Sequence, residues 1–133
     1  MQFFLYDSLK KKKRIFTPID DKNVRVYACG PTVYNYAHVG NARMAVVCDL
    51  LIRVLRTIYK NVKFVSNITD IDDKIIEASI TSNIPIKKIT DKFSKIYNQD
   101  MLDIDVMLPT VQPRATNHIP EMIKIIEQLI KNG

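Results

Sequence analysis

Fifteen consecutive residues hold most of the reactive chemistry in this sequence: Cys29-Gly30-Pro31-Thr32-Val33-Tyr34-Asn35-Tyr36-Ala37-His38-Val39-Gly40-Asn41-Ala42-Arg43. Cys29 carries a thiol that, once ionised, is a good zinc ligand. A lone cysteine ending an apolar run also packs as a small hydrophobe, and composition alone favours that reading. His38 and Asn41 each offer a side-chain donor to an anion. Gly40 has no Cβ, so a flat base or a phosphate can come close to its backbone. Farther along, Thr69 precedes Asp70, Asp72 and Asp73. Three carboxylates so close together suggest a metal site, but at a helix start they read more simply as a solvated cluster favoured by the helix dipole. Cys48 lies inside an apolar helical pattern and reads as packing.

The flanking patterns supply a scaffold for these groups. Val24-Arg25-Val26-Tyr27-Ala28 alternates and is β-branched and aromatic, which predicts a strand ending at the Cys29-Gly30-Pro31 breaker cluster. From Asn41 the period changes. Val47, Leu50, Leu51, Val54, Leu55 and Ile58 fall at helical spacing and leave Asp49, Arg53, Arg56 and Lys60 off the stripe. Val62-Lys63-Phe64-Val65 predicts a second strand, and strand, helix, strand in that order makes a parallel βαβ unit. Anions bind at the carboxyl ends of such strands, where a helix start presents free N–H groups, and His38 to Asn41 fall there. Three more helices are predicted. The first runs from Asp72 to Ser79. The second opens at Pro85 with the stripe Ile86, Ile89, Phe93, Ile96 and Tyr97. The third is capped by Thr116 or Asn117 and carries Ile119, Met122, Ile123, Ile126, Leu129 and Ile130. The basic run Lys10-Lys11-Lys12-Lys13-Arg14 predicts a solvated loop, with binding to RNA phosphates as the sharper alternative.

A chain of 133 residues that is 47% hydrophobic and 26% charged, with 3 glycines, is globular rather than disordered or fibrous. Its 20 Lys and Arg against 14 Asp and Glu leave +6, which suits an anionic partner without proving one. Two distant cysteines make no disulfide framework and fit a reducing cytoplasm. No apolar run reaches membrane-spanning length, and the N-terminus lacks a signal pattern, so no membrane role is expected. Two clear strands among several helices would leave a marginal sheet with open edges, so the sequence reads as part of a larger protein.

The Cys29 to Arg43 segment resembles the signature of class I aminoacyl-tRNA synthetases, and among them it is similar to cysteinyl-tRNA synthetases. That family reads Cys-Gly-Pro-Thr-Val-Tyr, then His-Ile-Gly-His or His-Ile-Gly-Asn, then Ala-Arg; here His38-Val39-Gly40-Asn41-Ala42-Arg43 stands in that place. Asn67-Ile68-Thr69-Asp70-Ile71-Asp72-Asp73-Lys74-Ile75-Ile76 and Pro113-Arg114-Ala115-Thr116, with His118-Ile119, match two further family blocks. The resemblance implies an α/β, partial Rossmann-like nucleotide-binding fold of the HIGH type, a parallel βαβ core with additional helices. Residues 1–133 would then be the N-terminal portion of the catalytic domain. It implies ATP binding by Pro31, Thr32, Tyr34, His38, Gly40 and Asn41, with His38 and Asn41 catalytic at the phosphates. It implies binding of substrate cysteine by Cys29, Gly30 and Thr69, and Cys29 as one ligand of a zinc ion whose other ligands lie downstream. Such a metal contact selects cysteine over serine more sharply than a pocket sensing size. Asn41 departs from the family's frequent second histidine; it keeps a donor but cannot be cationic. Arg114 and His118 are structural or near tRNA in this reading and receive no role.

The implied enzyme is a cytoplasmic cysteine–tRNA ligase that activates L-cysteine with ATP, in the presence of Mg2+, and transfers it to tRNA(Cys). The family's Lys-Met-Ser-Lys-Ser loop, remaining zinc ligands and tRNA-binding helical region do not occur in these residues. The isolated chain is therefore expected to be inactive, and the C-terminal part of the same enzyme is an expected partner. Two alternatives stay open: a ligase joining activated cysteine to an amino sugar, and a non-catalytic fragment or paralogue that binds nucleotide, RNA or a protein partner.

Overall fold

The structure is a computed structural model and describes residues 3–133. It begins with an antiparallel hairpin of β1 (Phe4–Asp7) and β2 (Lys12–Ile15), Phe4 opposite Ile15 and Asp7 opposite Lys12. This corrects the loop expected at Lys10 to Arg14: Lys10 and Lys11 turn, and Lys12 to Arg14 are strand. Solvation of the run is as expected, since every β2 residue is exposed. Charge misleads here because an edge pair satisfies its backbone groups whatever its side chains, and lysines keep an open edge from recruiting another strand. Asp7 holds the turn by accepting from the Lys10 N–H (3.0 Å) and the Arg14 guanidinium (2.7 Å).

The expected βαβ unit follows. β3 (Val24–Ala28) and β4 (Val62–Ser66) pair in parallel, Val24 beside Val62 and Ala28 beside Ser66, with α1 (Val39–Ile58) as the crossover. The ladder runs on past both strands. Thr32 pairs with Thr69, while Val111 and Arg114 pair with Val65 and Ile68 on the other side of that chain segment. Residues 67–69 are thus flanked by backbone on both sides, with the Ile68 N–H donating to Pro113 O (2.8 Å) and the Thr69 N–H to Pro31 O (3.0 Å). Then come α2 (Asp73–Ser82), α3 (Ile86–Asp103), a 3-10 turn (Ala115–His118) and α4 (Ile119–Asn132).

Ile52 and Leu55 of α1 bury against Val24 and Phe64 of the parallel pair, and each such side chain contributes about 2 kcal/mol when fully buried. A second cluster of Ala45, Met101 and Val106 joins α1 to the end of α3. The buried face of α1 is rotated from the expected stripe: Val47 and Leu50 are 58% and 62% exposed, while Ala45, Asp49, Ile52 and Leu55 are buried. Asp49 moves inside because it has partners there. Its carboxylate accepts from Arg53 Nε (2.7 Å) and from the Met107 N–H (3.3 Å) in the loop after α3. Since α1 is apolar on more than one side, its period cannot choose which side is covered.

On α3, Ile89 is buried as expected, but Ile86 is exposed and Thr90 and Ser94 take core places. Their hydroxyls donate to the carbonyls of Lys87 (3.3 Å) and Thr90 (2.6 Å), so no polar group is stranded. α4 begins at Ile119 rather than at Thr116 or Asn117, and Met122, Ile123, Ile126, Leu129 and Ile130 are all exposed. Among the described residues, no helix is long and apolar enough to cross a membrane.

Candidate active site

β3 delivers its C-terminal end to the site. Cys29, the residue after it, is a free, exposed thiol. Gly30 follows because nothing larger fits: a Cβ there would lie 1.5 Å from the carbonyl oxygen of Asn67. That crowding lets one side chain tie the site together. Asn67 Oδ1 accepts from the Gly30 N–H (3.0 Å) and the Tyr27 hydroxyl (2.8 Å), while its Nδ2 donates to Thr69 Oγ1 (3.1 Å). Cys29-Gly30 and Thr69, far apart in sequence, are thereby held on one amide.

His38 caps α1. Its Nδ1 accepts from the Gly40 N–H (3.0 Å), and Asn41 Oδ1 reciprocates by accepting from the His38 N–H (3.1 Å). A Cβ at Gly40 would meet His38 Cε1 at 2.6 Å, so the His38 ring occupies the place a side chain there would take, while Gly40 itself stays exposed. An Nδ1 that accepts carries no proton, which leaves Nε2–H as the ring's donor. Removing the cap tests this arrangement. His38→Ala is expected to lower stability by about 1 kcal/mol, and His38→Asn to recover most of it, read from the urea midpoint.

Pro31, Thr32, Tyr34, His38 and Asn41 line one cleft of about 200 Å³. Gly40 does not line it, and Cys29, Gly30 and Thr69 adjoin it through the Thr32–Thr69 pairing. Tyr36, Lys74 and Tyr97 also line the cleft, and sequence reading singled out none of them there. Asn67 and Lys74 stand inside the second family block, which is the signal that could have found them. Tyr97 was placed on an apolar stripe, and burial does push its phenol up. Cys48 is half-buried, its Sγ 3.6 Å from Met44 Sδ, and burial pushes its thiol up as well, which suits packing.

The carboxylates do not form the solvated cluster expected of them. Asp72 caps α2 by accepting from the Lys74 N–H (2.9 Å), and Asp73 is exposed, but Asp70 is only 3% exposed. Asp70 accepts from the Thr116 N–H (3.0 Å) and hydroxyl (2.7 Å), with Arg114 3.7 Å away. Arg114 also pairs with Asp91 (2.7 Å). Lys87 and then Arg114 hold the Asp91 carboxyl below the usual carboxylate range. Arg114 and Thr116 are therefore parts of a brace between the third block and the second. Among the described residues no three His, Cys, Asp or Glu side chains converge as a metal centre. Cys29 fits one corner of a tetrahedral zinc site as a soft, accessible donor.

The family model of the class I (C) tRNA synthetase catalytic domain matches residues 15–133. The chain belongs to that family. The βαβ unit and its added helices are accordingly the partial Rossmann-like fold of a class I synthetase catalytic domain. The chain is 53% identical over 133 residues to a cysteine–tRNA ligase of Hyphomonas neptunium, matching 98% of this chain and 29% of that protein. It is 50% identical over 135 residues to the ligase of Beijerinckia indica, covering 100% of this chain and 30% of the relative. The Rickettsia bellii ligase is 49% identical with the same coverage. This synthetase segment thus spans about 30% of the length of the curated relatives it matches.

Proposed function

We propose that residues 1–133 are the ATP- and cysteine-binding N-terminal portion of the catalytic domain of a cytoplasmic cysteine–tRNA ligase. In the first step the cysteine carboxylate attacks the α-phosphorus of ATP, forming cysteinyl-adenylate and releasing pyrophosphate. In the second, a terminal ribose hydroxyl of tRNA(Cys) takes the cysteinyl group and AMP leaves. The first step asks the protein for positioning and charge stabilisation more than for covalent chemistry. His38 donates from Nε2 to the triphosphate, and Asn41 keeps its amide N–H₂ for the same end of the cleft. Thr69 Oγ1, fixed by Asn67, hydrogen-bonds the bound cysteine. Cys29 serves as one zinc ligand, the others coming from outside these residues; when bound, zinc supplies recognition of the substrate thiolate.

The observation that carries this reading is the single Asn67 side chain that joins the Cys29-Gly30 segment to Thr69 beside the His38-capped helix. A chimaera tests it, with this chain replacing the matching segment of the Hyphomonas neptunium relative. Cysteine-dependent ATP–pyrophosphate exchange is expected, absent with serine and abolished by Cys29→Ala; the chain alone should show none. Exchange without charging of tRNA would favour an amino-sugar acceptor. A folded chimaera that binds ATP but shows no exchange would overturn the proposal in favour of a non-catalytic module.

A further inference from the structure

Resting on that reading, one positive charge remains to be assigned a task. ATP brings several negative charges to the cleft, and its first-motif groups have little to set against them. The His38 ring carries no charge while its Nδ1 accepts from Gly40, and Asn41 is an amide whose Oδ1 is already engaged by the His38 N–H. The start of α1 adds only about half a charge. Lys74 is the one lysine or arginine lining the cleft among the described residues. It comes from the first turn of α2, whose start is fixed by the Asp72 cap and by the fully buried Ile75 next to it. Its ammonium reaches back to the first motif and rests 5.6 Å from the centre of the Tyr34 ring, a cation–π contact. Among the described residues it makes no ion pair with a carboxylate. An exposed ammonium resting on an aromatic face, the one Lys or Arg lining the cleft among the described residues, is available to an anion at small cost.

We propose that Lys74 is a phosphate-binding cation of this site: its ammonium moves from the Tyr34 face onto the β- and γ-phosphate oxygens of ATP. It stays with them as the α-phosphorus–oxygen bond breaks, balancing the charge that pyrophosphate carries away. Lys74 thereby does the electrostatic work that a cationic second histidine at position 41 could do and Asn41 cannot.

The test measures binding of inorganic pyrophosphate and of adenosine to the chain, wild type, Lys74→Gln and Lys74→Arg, by calorimetry at low and high salt. Lys74→Gln should weaken pyrophosphate about tenfold or more, flatten its salt dependence and leave adenosine unchanged, while Lys74→Arg should restore most of the loss. In the chimaera, Lys74→Gln should raise KM for ATP and also lower kcat for exchange, a split that a structural role would not produce. Lys74 is exposed, so the urea midpoint should not move. Pyrophosphate binding that is equal in Lys74→Gln and wild type, or undetectable in both, overturns the proposal. Exchange by the chimaera judges the ligase reading separately: normal exchange with Lys74→Gln sinks the role of Lys74 alone, and Lys74-dependent pyrophosphate binding without exchange sinks the ligase reading alone.

Discussion

Gly30→Ala is expected to destabilise the chain by about 3 kcal/mol or more and to pull the Cys29 segment away from Thr69. The added Cβ would sit 1.5 Å from the Asn67 carbonyl oxygen and 2.6 Å from its carbon, far inside the 3.0 Å below which real Cβ contacts are essentially never found. Both obstacles are backbone, held in the continued ladder on either side, so neither can swing aside. Residues 29–31 must shift instead. The shift breaks the Gly30 N–H to Asn67 bond and strains the bond from the Thr69 N–H to Pro31 O. Gly40→Ala is the control. Its Cβ would meet the far end of a side chain, His38 Cε1 at 2.6 Å, which can rotate away. The lost cap costs about 1 kcal/mol, and replacing glycine inside a helix returns about as much, so that variant should be close to neutral. Urea midpoints of the two variants decide the matter. A Gly30→Ala protein as stable as wild type would mean the close approach does not exist.

The second large effect is at Asp70. Asp70→Ala should cost about 3 kcal/mol, because it leaves the Thr116 N–H and hydroxyl without their acceptor and takes a buried counter-charge from Arg114. The loss stays near the lower end of the range for broken buried pairs, since Arg114 keeps Asp91 at 2.7 Å and is itself partly solvated. Asp70→Asn retains an acceptor for the Thr116 N–H and should lose only about 1 kcal/mol. The consequence reaches the site. Asp70 follows Thr69 directly, and the Ala115 N–H to Ile68 O bond (3.0 Å) ties the same stretch to the third block. Amide exchange should therefore quicken at 68–70 and 114–116 in Asp70→Ala while the hairpin is unaffected. Equal denaturant midpoints for Asp70→Ala and wild type would refute the brace.

Much of this architecture could be read from local patterns because they report local physics. Alternation in Val24–Ala28 and in Val62–Val65, the breaker at Gly30-Pro31 and the helical period after Asn41 suffice to indicate the βαβ unit that the structure shows. The first motif, too, is legible as a unit, since His38, Gly40 and Asn41 close a capping box within one turn of helix. Where the readings fell short, the deciding partner was distant in sequence. Asp49 and Asp70 look like surface carboxylates until Met107 and Thr116 arrive to satisfy them. The basic strand is the exception: its antiparallel neighbour lies only a short turn away, and the run of like charges hides the pairing.

Types and spacing along the chain determined the fold class, the helix start proposed to receive an anion, and the residues worth testing there. Tertiary structure alone decided which faces of α1 and α3 are buried, that Asn67 joins Cys29-Gly30 to Thr69, and that Lys74 comes to the cleft of His38. The reason is physical: propensity and capping act over a few neighbouring residues, whereas burial and hydrogen-bond satisfaction depend on whatever the completed chain brings alongside.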